Sequence, residues 1–131
     1  MKAKLLRSSL WTFGLLAACS TAIAHHGTAI SYDQSRVVTL TGVVTEFRLT
    51  NPHSQLYFDV TDEAGQVVHW AGEMNSPGVL RQAGWTPNMI EPGDRITVSL
   101  HPSKAGTPVG VVERDEPMIV NGEQLVGTGD R

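Results

Sequence analysis

Hydrophobic and polar residues alternate without a break over Gln55–Thr61, with Leu56, Phe58 and Val60 on one side and Gln55, Tyr57, Asp59 and Thr61 on the other. A period of two over this length predicts a half-buried strand. The stretch before it is less regular. Val38, Leu40 and Val44 share one parity and Val43, Phe47 and Leu49 the other, with Gly42 at the change. That glycine predicts a β-bulge, through which the first strand coils from one side of a small barrel to the other. A short turn carrying Asn51, Pro52 and His53 joins the two strands. Further along, residues 63–66 form a turn into a third strand over residues 67–74, where Val68 and Trp70 face the core and His69, Ala71 and Glu73 the opposite side.

A short helix follows. Ser76 suits its cap, Pro77 its first position, Val79, Leu80 and Ala83 an apolar stripe, and Gly84 its close. Residues 85–90, from Trp85 to Ile90, are apolar enough to plug a barrel end, and Pro92-Gly93-Asp94 is a turn. In the fourth strand Ile96, Val98 and Leu100 point inward and His101 outward, with Pro102 ending the pairing. A loop rich in Gly and Pro leads to a fifth strand from Val109 to about Glu113, and Asn121-Gly122 marks a hairpin between residues 118–120 and 123–125. This order predicts an all-β chain with one short helix, folded as a small OB-like five-stranded barrel plus a C-terminal hairpin. A β-sandwich is the alternative, and the helix between the third and fourth strands argues against it.

Composition changes the picture at the N-terminus. Lys2, Lys4 and Arg7 precede an apolar run from Leu10 to Ala18, and Ala22-Ile23-Ala24 has the small-x-small form of a cleavage site. Residues 1–24 therefore read as a signal peptide, 25–36 as a polar leader and 37–131 as a single barrel domain. The run is too short to remain as a membrane span. Leu16-Ala17-Ala18-Cys19 also fits a lipobox, under which Cys19 becomes a lipid anchor. Both readings place the domain outside the cytoplasm, in the periplasm. Removal of the signal leaves about 107 residues without cysteine, excluding a disulfide or thiolate site. It also leaves 7 Lys+Arg against 13 Asp+Glu, a net charge of about −6 with His neutral. No basic face for nucleic acid is visible.

Ala24-His25-His26-Gly27, Thr41-Gly42-x-Val44, Asn51-Pro52-His53, Trp70 with Glu73, Ser76-Pro77, Gly84-Trp85 and Pro92-Gly93-Asp94 stand in one order along most of the mature chain. Together they resemble a bacterial family of small exported proteins catalogued only as a domain of unknown function. The resemblance implies export and supplies no activity. More remotely, the layout is similar to periplasmic copper chaperones with an OB fold, which use His, Met and Trp; Trp70, Met74 and His53 are such residues here, at a spacing that does not match.

The histidines carry the remaining chemistry. Cleavage before His25 would create a free amine beside its imidazole, and His26 adds a second, a nitrogen-rich set suited to Cu(II). The plainer reading is a solvated start of chain. His53 on its proline-braced turn is a third candidate ligand, or a structural turn residue. Asn51, Glu73 and His101 are candidates for a supporting shell or a ligand groove; an outward-facing strand position is ordinarily solvated, and this holds for Glu73, for His69 on the same face and for His101. Trp70 and Trp85 read as core. No G-x-S-x-G, nucleophilic cysteine, H-E-x-x-H or phosphate-cradling loop occurs, so enzymatic activity is the lesser expectation. A copper oxygenase that begins with His would need a second placed His and a flat substrate face. The expected function is an exported metal carrier, buffer or sensor, copper first, with a metal site of His25, His26 and His53. The alternative is a metal-free OB-like module that holds a protein partner or a small organic ligand.

Overall fold

A computed structural model of the chain describes residues 31–125. Its elements are β1 (Val38–Arg48), β2 (Gln55–Thr61), β3 (Val67–Glu73), a helix α1 (Pro77–Gln82), β4 (Arg95–Pro102), β5 (Val109–Val112), β6 (Met118–Val120) and β7 (Glu123–Leu125). The strands follow the order β1-β2-β3-β5-β4-β6-β7, and β1 also pairs with β4. The circuit β1-β2-β3-β5-β4-β1 is a closed five-stranded barrel, and β6 and β7 extend it from β4. All pairings are antiparallel except β3 with β5, which is parallel. Strand order, parallel closure and the helix between β3 and β4 are those of an OB-type barrel.

The core follows from the alternation. Leu56, Phe58, Ile96, Val98 and Leu100 are buried from β2 and β4, and Val44, Met74, Leu80, Trp85, Ile90, Val112, Met118 and Val120 complete one cluster. Trp70, Phe47, Leu49 and Val60 pack against it. Trp85 and Ile90 are both buried in this cluster, with the rings of Trp85 and Phe47 at 5.8 Å.

Three local expectations are corrected. The change of face in β1 lies at Thr45, not at Gly42: Val44 pairs with Phe58 and Glu46 with Tyr57, so one residue is left over between them. Gly42 stays on the inner face and Val43 is exposed on the outer one. The reason for glycine at 42 is close approach, since a Cβ there would collide with the carbonyl of Asp59. In α1 the buried pair is Pro77 and Leu80, while Val79 and Ala83 face out. Ser76 accepts from the Val79 amide, and Gly84, at φ +91°, turns the chain so that Trp85 N–H reaches Leu80 O at 2.9 Å. Finally, pairing continues through Pro102, which lies opposite Gly110. A Cβ at Gly110 would strike the Leu100 side chain, so β5 approaches β4 here as only glycine permits.

The described end of the leader, residues 31–36, is part of the fold. Asp33 N–H donates to Pro102 O (2.9 Å), Lys104 N–H to Ser31 O (3.0 Å), and Tyr32 bridges to Ser103. Residues 31–36 thus continue the sheet beside the end of β4. Asn121 (φ 51°) and Gly122 (φ 86°) make the tight turn of the β6–β7 hairpin.

Candidate functional site

The loop between β1 and β2 delivers His53 to the end of β3. Its Asn51–Pro52 peptide is cis. Immediately after it, Ser54 is clamped by its backbone, with its N–H on Asn75 O (3.1 Å) and its carbonyl accepting from Met74 N–H (2.9 Å). Because Gln55 lies opposite Glu73 in the register, the loop end and the strand end share one outer edge. There His53 Nδ1 meets Glu73 Oε1 at 2.7 Å. From the other side the Tyr32 hydroxyl donates to Glu73 Oε2 at 3.2 Å. Both carboxylate oxygens are therefore engaged, one by the loop and one by the leader.

Exposure distinguishes the partners. The His53 side chain is 44% exposed and that of Glu73 only 17%. Glu73 is on the outer face, as its parity predicts, but it is not a solvated residue, since Tyr32 and His53 flank it. A ring that donates Nδ1–H to a carboxylate presents its lone pair at Nε2, and no hydrogen bond to that nitrogen is found among the described residues. The Tyr32 phenol is raised from 10.0 to about 12, by burial first and then by the charge and hydrogen bond of Glu73. It stays a donor throughout the physiological range.

The other candidates are elsewhere. His69, 82% exposed, bonds through Nδ1 to Asp59 Oδ1 across the β2–β3 pair at 2.6 Å, so its partner is Asp59 rather than Glu73 on its own strand. His101 is on the outer face of β4, yet it is covered rather than solvated: its side chain is 14% exposed, Nε2 faces Glu113 Oε2 at 2.7 Å and Nδ1 faces Arg36 O at 2.9 Å. With both nitrogens engaged it is not a ready ligand. Asn51 is exposed in the loop. His25, His26 and Cys19 lie outside the described residues. The described residues contain no group of three or more His, Cys, Asp or Glu positioned to hold a metal ion. No helix among them is long and apolar enough to cross a membrane.

Sequence reasoning did not place Tyr32 or Glu113 at a site. Tyr32 meets Glu73 across 41 positions of chain, and no local pattern encodes that contact. Glu113 was legible only as the polar end of a strand. The inner alternation of β4 and β5 shows that His101 and Glu113 both face outward, but not that they meet.

No curated protein matches the chain. A family model covers residues 14–113, which includes the leader, the barrel and the His53–Glu73–Tyr32 arrangement, and by that match the chain belongs to the family of unknown function DUF6152.

Proposed function

We propose that this is an exported, periplasmic metal-binding protein, with Cu(II) as the preferred ion, acting as a carrier, buffer or sensor. The observation that supports it most is His53, whose Nδ1 rests on Glu73 while its side chain stays 44% exposed beside the docked leader. A carboxylate behind an imidazole fixes its tautomer and increases its basicity, an arrangement typical of histidines that ligate metals. His53 alone is one donor. The rest of the set would come from His25 and His26; His26 is six residues before Tyr32, a length of extended chain that spans about 20 Å, so both are within reach of the loop. The free amine created by cleavage before His25 would complete a nitrogen-rich set of the kind Cu(II) prefers. Tyr32 and Glu73 would position the leader and His53 and would not themselves bind the ion.

The test is a Cu(II) titration of protein that begins at His25, followed by calorimetry and by paramagnetic resonance for nitrogen coordination. Glu73→Gln should weaken binding by about 10- to 100-fold, the usual cost of losing such a support. His53→Ala should weaken it further, and a Gly-Ser extension before His25, which turns the amine into an amide, should weaken it sharply with every side chain intact. Affinity should fall from about pH 7 to about pH 5, because the ligands must shed protons to bind. His69→Ala should have no effect. Equal affinity of native and extended proteins would overturn the amine-based site, and a mature chain beginning at lipidated Cys19 would overturn it in the cell. The metal-free binding module would then be the better account.

A further inference from the structure

The leader is fastened to the barrel at a second place, two strands across the outer face from the His53–Glu73 pair, since Glu73 lies opposite Val111 and Val111 opposite His101. Arg36 O, the His101 ring and Glu113 form a chain of contacts, 2.9 Å at Nδ1 and 2.7 Å at Nε2. A carbonyl only accepts, so the first contact needs hydrogen on Nδ1. Across the second, two lone pairs at 2.7 Å would repel, so a proton lies between the ring and the carboxylate. Glu113 is prepared to face a cation: its Oε1 accepts from the amides of Arg114 (2.7 Å) and Asp115 (3.2 Å). The Asp115 amide most, then the Arg114 amide and the His101 charge, outweigh burial and hold this carboxyl below the usual range. Other charges around the ring are few in kind. Arg36 and Asp33 belong to the leader, Lys104 follows β4, and Arg114 follows β5; Val111, opposite His101 in the β4–β5 register, is uncharged, and beyond it on β3 stands Glu73, whose two oxygens are already engaged by His53 and Tyr32.

We propose that Arg36, His101 and Glu113 form a proton-dependent clasp that holds the leader on the barrel, closed while one proton is held between ring and carboxylate and open when it is lost. A neutral imidazole has one N–H for two acceptors. The carboxylate is the stronger acceptor, so the remaining hydrogen moves to Nε2, and the bare Nδ1 then opposes the Arg36 carbonyl. Release of that carbonyl loosens residues 31–36, which are held besides by the backbone bonds at Asp33 and Lys104, by the Tyr32 hydroxyl and by the attraction between Asp33 and Lys104. The clasp does not depend on the copper reading. It operates in metal-free protein, and its failure would leave the His53 site intact.

Amide hydrogen exchange followed by NMR on metal-free protein tests it. Protection factors at Asp33 and Lys104, whose N–H groups tie the leader to β4, are compared with that of Ser54, which is bonded to Asn75. Between about pH 6 and about pH 9 the first two should fall about five- to tenfold, the usual worth of one net hydrogen bond, while Ser54 should hold. In Glu113→Gln the fall should vanish, because the Gln amide can donate to a neutral Nε2 and leave Nδ1–H on Arg36. Protection at Asp33 and Lys104 that is independent of pH in the native chain, or equally dependent on it in Glu113→Gln, would overturn the clasp. Ring nitrogen shifts of His101 in the unmodified protein give a second reading: loss of the ring proton in step with loss of protection supports it, and a ring that becomes neutral with protection unchanged refutes it.

Discussion

At Tyr32, burial and a facing carboxylate act in the same direction, and the phenol is raised to about 12. The sign of its linkage follows. The folded value lies above the unfolded 10.0, so the contribution of Tyr32 is complete below about pH 10 and is lost as pH rises towards about 12. Tyr32→Phe should therefore remove the last step of tyrosinate absorbance in an alkaline titration, and should speed exchange at the Asp33 amide while leaving the barrel's urea midpoint nearly unchanged. Single residues also show where sequence reading ran out. The outward parity of Glu73, His101 and His69 was legible, because alternation is a local property. Their different surroundings were not, because what covers Glu73 and His101 is a leader that returns from a distant part of the chain, and nothing covers His69.

Among the elements, β1 carries the geometry of the barrel, since it pairs with β4 from Val38 to Val43 and with β2 from Val43 to Arg48. Such a strand must bend where it changes partner. Sequence parity revealed that the buried face switches, but glycine was a misleading sign of where; the residue left over is Thr45, and Gly42 serves the close crossing of β2. Gly42→Ala should then destabilise the protein by about 1–3 kcal/mol, the range for forcing a methyl into filled space, because the opposing atom is backbone and cannot turn aside. Phe58→Ala, at a fully buried position in β2, should cost about 3–5 kcal/mol in urea or thermal unfolding. A Gly42 variant as stable as the native chain would show that β1 and β2 can separate at their crossing. The hairpin at Asn121-Gly122 and the helix with its Ser76 cap were legible because turn and cap chemistry is confined to a few adjacent residues. The face of α1 was harder to read, since six residues are too few for a clear helical period.

For the molecule as a whole, acid is the condition to which its charge arrangement responds. Asp33 is lowered chiefly by its bond from the Ser35 hydroxyl, Asp94 by the Glu91 amide and Glu113 by the Asp115 amide. Each has a folded value below its unfolded one, so its contribution is present above the ordinary carboxylate range and is lost as pH falls through the folded value. Stability measured by urea should decline below about pH 4, and Glu113→Gln, which removes the least exposed of the three, should flatten part of that decline. The closed circuit of strands has a different consequence, in time rather than in energy. Closure requires Val38 to meet Leu100 and Ala71 to meet Val109. A growing chain cannot complete its barrel until β5 has been made, and until then the edges of β3 and β4 stay open to pairing with other chains. Contacts this distant make folding slow for a chain of this size. The protein therefore passes through a vulnerable interval whose length is set by topology, and β5, only four residues long, ends it.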